Sequence, residues 1–274
     1  MTRVMVGFLA LVAMGATARA ESSWANDPIW HDGLVEKAVY TASRVVYEKP
    51  RAYEAIFFTN KEQHDTRTMT KALKSTTTIE VWKFNQVEVV PTPNYDYKYV
   101  TTAHLEVTGL WLTRMESSSQ EFCGTSFKQY LRASSRVPDN WGFDYFGFSY
   151  MPESPRVQEY VSTGSFPSAV AADSLPLWLR NFDFTGKTAM KIALLPSQKS
   201  NHPTDYKPAQ AEVRYAGEEG DAHRLEVHVA GKLTGTYWMA KDPTRLHIML
   251  KYRGADAQQY DLKSVERVNY WTVK

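Results

Sequence analysis

The sequence holds one cysteine, Cys123, in 274 residues. No intramolecular disulfide can form, and a lone thiol in an oxidising compartment is expected to be a small, buried, inert core residue. Glycine and proline, at 14 and 13 residues, are not in excess, which excludes collagen-like and low-complexity chains. Neither charge sign dominates. The formal net charge is +2, and the first twenty residues carry Arg3 and Arg19 with no acid, so the remainder holds 30 basic and 30 acidic residues. A neutral chain has no general attraction for nucleic acid or anionic lipid. No Gly-rich phosphate loop, HExxH helix or paired Cx2C occurs, so nucleotide, nucleic-acid, metal and cofactor binding have no support in the motifs.

Long apolar runs are also missing, with one exception. Residues 1–20 read MTRVMVGFLALVAMGATARA. Arg3 is a short positive n-region, Val4 to Met14 an apolar h-region, and Ala18-Arg19-Ala20 a small-x-small cleavage site. The apolar run is shorter than the ~20 residues that span a bilayer. The expectation is a signal peptide cut after Ala20, a periplasmic or secreted location, and a single β-rich domain over 21–274 without a transmembrane span.

What the chain has in abundance is aromatics, 13% of residues with 8 Trp and 16 Tyr. Aromatic and β-branched residues favour strands. Residues 53–58 and 79–90 are rich in both, and Pro91 and Pro93 end the second run. Residues 225–229 and 245–252 alternate apolar and polar positions most cleanly. They are expected to pair, with Leu225, Val227, Val229, Leu246, Ile248 and Leu250 inside and His228 and His247 toward solvent. About a dozen strands are expected. One short helix is expected at about 174–182, capped by Asp173 or Ser174, with Pro176 in its first turn. In 141–150, WGFDYFGFSY, the aromatics change parity, which a β-bulge near Gly147 would explain. The expected fold is mainly β: a large curved antiparallel sheet or incomplete barrel, closed on one side by the helix.

Three blocks, WHDGLVEKAVY (30–40), SSQEFCG (118–124) and YDLKSVERVNYW (260–271), resemble a family of uncharacterised exported bacterial proteins. Its members pair an early W-x-D-G-x-x-E with a central S-x-Q-E-[WF]-C-G. Some carry the label septum formation inhibitor Maf, although no motif of the cytosolic Maf nucleotide pyrophosphatases occurs here. The stretch 174–192 with the strands after it also resembles a broader exported domain similar to the half-barrel, LolA/LolB-like lipoprotein carriers and receptors of the Gram-negative periplasm. That resemblance implies a concave sheet able to hold lipid, and it implies no catalytic residue.

Candidate chemistry is sparse. Cys123 with His104 as base and Glu121 as orienter would make a thiol nucleophile. His228, Glu226 and His247 could share a metal on neighbouring strands, though exposed polar residues on an outer face are the simpler account. On the C-terminal strand, Tyr260, Leu262, Ser264 and Glu266 share a face; if that face points inward, Glu266 enters an apolar region and could receive a polar head group, the simpler account being a Glu at the sheet rim or paired with an Arg such as Arg180. Trp82, Phe84, Phe143 and Trp178 are the candidate lining of an apolar cavity of at least ~300 Å³, the low end for ligand pockets, unless the sheet closes as a filled barrel. The expected function is that of a non-enzymatic envelope protein that binds or carries a hydrophobic ligand such as lipid or lipoprotein acyl chains. The alternatives are a thiol-dependent hydrolase using Cys123 and a structural or interaction protein with a packed interior.

Overall fold

A computed structural model describes residues 23–133, 142–152, 156–164 and 169–269. The expected signal peptide, residues 1–20, lies outside the described residues, as do Trp141, Tyr270 and Trp271. The first half contains eight strands: β1 (Val35–Val46), β2 (Lys49–Asp65), β3 (Thr78–Val90), β4 (Tyr97–Glu106), β5 (Leu112–Glu121), β6 (Gly124–Arg132), β7 (Gly142–Ser149) and β8 (Val157–Ser162). The second half adds β9 (Ala169–Ala171), β10 (Ala189–Leu195), β11 (Ala209–Glu219), β12 (Ala222–Val229), β13 (Lys232–Ala240), β14 (Met249–Gly254) and β15 (Gln259–Val268).

All of these strands belong to one sheet, in the order β8-β7-β6-β5-β4-β3-β2-β1-β15-β14-β13-β12-β11-β10-β9. Neighbours are antiparallel except β9 and β10. The two halves are therefore meanders running away from a central β1–β15 seam, and the edge strands β8 and β9 are consecutive in sequence. β9 comes within contact of β5, and the turn that follows it contacts β4, so the sheet rolls up on itself. Five register shifts among the described strands supply bending points, at Val39/Tyr40, His104/Leu105, Tyr215/Glu218, Val227/His228 and Trp238/Met239.

The expected helix is present but largely not α-helical. α1 spans Leu175–Trp178, flanked by 3-10 turns at Ala172–Ser174 and Leu179–Asn181. Neither expected cap acts as one. Asp173 accepts instead from Ser197 Oγ at 2.6 Å and the Gln198 amide at 2.8 Å, and Ser174 donates to the Ala171 carbonyl.

The bulge expected at Gly147 is not there. β7 pairs in unbroken register with β6 and β8. Phe143 and Tyr145 point inward, and Phe146 and Phe148 meet Phe127 on the outer face. Gly147 answers a close approach: a Cβ there would lie 2.7 Å from the Pro203 Cβ and 2.9 Å from the Tyr145 hydroxyl.

The strands 225–229 and 245–252 do not pair either, because β13 lies between β12 and β14. Leu225, Val227 and Ile248 are buried as expected, while Leu250 is only partly so. Leu246 and His247 precede β14 in left-handed backbone. His247 is half-buried against Phe184 and His223 rather than turned to solvent.

The concave side is filled from three sources. Trp24 and Trp30, in 3-10 turns before β1, stack on and against Trp82, with ring centroids 4.9 and 4.8 Å away. Leu175, Leu177, Trp178 and Leu179 bring the helical segment into the same core. Residues 196–208 run over the inner face of β5 and β6. There Ser117 Oγ and Lys128 Nζ donate to the Gln198 carbonyl at 3.1 and 2.7 Å.

Candidate functional site

The concave face is apolar around Trp82 and polar around Glu88. β3 shows the change along one line of inward residues, Trp82, Phe84, Gln86 and Glu88, all buried. At the polar end a cavity of about 230 Å³ opens between β1, β2, β13, β14 and β15. Phe57, Tyr237, Tyr252 and Tyr260 supply rings, Gln86 and Gln258 supply amides, and Arg44, Lys199, Asp173 and Asp256 supply charge. Asp256 is exposed and marks the mouth.

Beneath the wall lies a buried ion pair. Lys199 Nζ is 2.5 Å from Glu88 Oε1. Tyr260 donates to the same oxygen at 2.8 Å, and Tyr53 to Oε2 at 2.6 Å. Burial alone would raise the Glu88 carboxyl. The charge of Lys199 and the hydrogen bonds from Lys199, Tyr53 and Tyr260 outweigh it and hold the group below the usual carboxylate range. Burial, with Glu88 close by, pushes the hydroxyls of Tyr53 and Tyr260 upward, so they remain donors.

Two of the lining charges are thus committed, Lys199 to Glu88 and Asp173 to Ser197 and Gln198. Arg44 is less so. Its Nη2 donates to the Lys199 carbonyl at a long 3.4 Å, its guanidinium lies 4.8 Å from the Tyr99 ring centroid, and its buried Nη1 makes no hydrogen bond.

None of the aromatics expected to line an apolar cavity lines this one. Trp82, Phe84, Phe143 and Trp178 are packed core residues, each at most 4% exposed. Glu266 is a second correction. It lies on the outer face, exposed, 2.8 Å from Lys37. The reason is the shift between Val39 and Tyr40: Val39 pairs with Ser264 and Tyr40 with Leu262, so the extra residue Lys263 reverses parity beyond it. The Arg180 expected as its partner holds the buried Glu36.

Cys123 is exposed, not buried, in the turn between β5 and β6, with its sulfur 3.2 Å from the Tyr95 hydroxyl. His104 is no base for it. β4 pairs Lys98 with Gln120 at the Cys123 end, and His104 stands six residues further along, roughly 20 Å at strand rise. His228 and His247 also stay apart: His228 contacts Glu226, while His247 bonds the Ala240 carbonyl near the opposite end of β12.

His104 belongs instead to a group that no sequence spacing revealed. Glu62, His64 and His104 place one ligand atom each within 4.8 Å of one another. Burial pushes the His104 imidazole down despite Glu62, and hydrogen bonds from the two histidines hold Glu62 low against its own burial. The i, i+2 pair Glu62/His64 was a weak signal, since it puts both side chains on one strand face.

Described residues of the blocks that carried the family resemblance make structural contacts. Trp30 is core, and Asp32 accepts from the Leu34 amide and from Arg267, while Glu36 holds Arg180. Two blocks are neighbours, because β1 pairs with β15. Gly124 follows the turn at φ +152°, where a Cβ would strike Tyr150.

No protein-family model and no curated protein sequence matches the chain. Among solved structures, a β-barrel-like protein of the domain of unknown function DUF1849 from Brucella abortus is similar to it, with a TM-score of 0.48 and 8% identity over 86% of this chain and 98% of that one. No helix among the described residues is long and apolar enough to cross a membrane.

Proposed function

We propose that the protein is an exported, non-catalytic binding protein of the cell envelope that takes a small polar ligand, bearing an anionic group and a flat face, into the cavity beside Arg44. The observation that carries this reading is the Arg44 guanidinium, with its Nη1 free of hydrogen bonds, beside a wall of Phe57, Tyr237, Tyr252 and Tyr260. A guanidinium offers a planar fork of donors to a carboxylate or phosphate, and aromatic rings favour a flat or ring-shaped body. Export is supported by the leader pattern in residues 1–20 and by the resemblance of the three blocks to exported proteins.

The ligand class differs from the lipid expected from sequence. An acyl chain needs a continuous apolar cavity, and the concave side instead carries a packed apolar core and a small polar cavity. The thiol-hydrolase alternative lacks its base, since His104 and Cys123 lie at opposite ends of their strands.

The test is native mass spectrometry of protein recovered from the envelope, with thermal-shift titration against small carboxylates and phosphate esters. We expect intact mass beginning at Glu21, a bound species of a few hundred daltons or a carboxylate or phosphate ester that raises Tm, and loss of either in Arg44→Met. Copurifying phospholipid or free fatty acid would restore the acyl-carrier reading and reject this one. So would a thermal response that Arg44→Met retains in full.

A further inference from the structure

Away from the cavity, three donors that bind metal ions converge on the convex face of the sheet. Glu62 and His64 share the outer face of β2, and His104 reaches them from β4 across the Val81–Lys83 stretch of β3. Each side chain is less than a tenth exposed. The residues between β2 and β3 cover the group: Lys71 bridges to His64, and the Met69 carbonyl accepts from Arg114, the residue paired with His104.

The carboxylate is divided between two duties. Oε1 faces both imidazoles, 2.8 Å from His64 Nε2 and 3.3 Å from His104 Nε2. Oε2 faces the ammonium groups of Lys71 and Lys83 at 3.7 and 3.9 Å. Ligand atoms around a tetrahedral Zn²⁺ with bonds of ~2.0–2.1 Å stand roughly 3.3 Å apart. Both carboxylate–imidazole distances are near that spacing, and the two imidazole nitrogens lie within 4.8 Å of each other, while the lysines hold Oε2 in a way that keeps Oε1 turned to the imidazoles.

We propose that Glu62 Oε1, His64 Nε2 and His104 Nε2 form a binding site for a borderline divalent transition-metal ion of the Zn²⁺ or Co²⁺ type. Two imidazoles and one carboxylate suit such ions better than Mg²⁺ or Ca²⁺, which prefer oxygen donors throughout. Three protein ligands leave a fourth position for water or another ligand. The site is a modest one. Neither Nδ1 has a partner, so no carboxylate or carbonyl steadies the rings from behind. Loss of such support weakens metal sites by about 10–100-fold, so a weak site, micromolar rather than tighter, is expected.

The experiment uses untagged full-length protein and needs no knowledge of the cavity ligand. Calorimetric titration with Zn²⁺ is expected to give one equivalent at micromolar Kd and a rise in Tm that a chelator reverses. His64→Gln/His104→Gln is expected to weaken binding at least ~10-fold and abolish the rise in Tm. His223→Gln/His247→Gln, which alters the histidine pair packed on Phe184, is expected to leave both unchanged. Wild-type affinity no tighter than that of the first double variant, or loss of binding in the second, overturns the proposal. Should the first variant fail to fold, X-ray absorption on the Zn²⁺-loaded wild type decides the question. Two imidazoles and a carboxylate oxygen support the site, and fewer than two imidazoles reject it.

Discussion

Arg180 and Glu36 form a buried two-pronged ion pair, Nη1 to Oε2 at 3.1 Å and Nη2 to Oε1 at 2.6 Å. The pair joins the turn after α1 to the start of β1, and the guanidinium also lies about 6 Å from the rings of Trp24 and Trp30. It therefore clamps the helical segment and the N-terminal tryptophans to the same end of the sheet. Removing one partner leaves a charge in a place without water. Glu36→Gln or Arg180→Met is expected to cost about 3–5 kcal/mol in urea unfolding. Replacing both by apolar residues, Glu36→Leu/Arg180→Met, is expected to cost less than either single change, because no lone charge is left behind. A double variant as unstable as the worse single one would show that geometry rather than charge pairing matters here.

Cys123 lies exposed in its hairpin turn beside Phe122, which is 87% exposed. The folded protein is expected to react with a small alkylating agent at a rate close to that of the urea-unfolded chain. Cys123→Ser is expected to change stability by less than about 0.5 kcal/mol, as surface substitutions do. Strong protection of the thiol in the folded state would contradict this placement.

The sheet class was legible because period-two patterning survives wherever a strand is half buried. The inward residues of β12, Leu225 and Val227, could be read directly. Parity failed where the chain adds a residue. Counting from Tyr260 puts Glu266 on the Tyr260 face, and the extra residue Lys263 turns it out. The 141–150 block misled in the opposite sense, because aromatics on both faces imitate a bulge. Of the filling of the concave face only the helical segment could be read. Residues 196–208 look like a polar surface loop, yet Gln198 is buried, with its side-chain amide donating to the carbonyls of Pro196 and Asp205. That loop and the tryptophans before β1 take the space that a lipid reading leaves open. The cavity and the Glu62 cluster depend on residues far apart in sequence, Arg44 with Lys199 and Glu62 with His104, and no local spacing encodes such meetings.

Gly147 tests how tightly that loop is held. A Cβ at this position meets Pro203 and the Tyr145 hydroxyl, and Tyr145 donates to the Pro203 carbonyl at 2.9 Å. Gly147→Val is expected to push residues 200–206 off the sheet and cost about 1–3 kcal/mol, as overpacking does. Hydrogen exchange should show faster amides in 198–206 with β6 unchanged. An unchanged exchange pattern would mean that the loop yields without cost.

Lys128 gives the loop a pH dependence whose sign follows from its surroundings. Its side chain is buried on β6, and its ammonium donates to the Gln198 carbonyl at 2.7 Å, to the Ser200 carbonyl and to Ser200 Oγ. No carboxylate forms an ion pair with it among the described residues, although Asp173 lends a weaker favourable field. Burial therefore dominates and pushes its pKa from 10.5 down to about 8. Below pH 8 both the folded and the unfolded chain keep this proton. Between about pH 8 and 10.5 the unfolded chain holds the proton more tightly, so stability rises with pH in that window. Above about pH 10 ordinary tyrosines in the unfolded chain begin to ionise. Tyr130 and Tyr145, pushed upward by burial, then oppose the gain. The clean comparison is thus pH 7.5 against 9.5, over which Lys128 should add about 2 kcal/mol to the unfolding free energy. Lys128→Met removes the titrating group, so the difference between wild type and variant should shift by that amount in favour of the wild type as pH rises. A difference that stays constant across the two pH values would place the Lys128 ammonium in a far more water-like setting than its contacts with Gln198 and Ser200 describe.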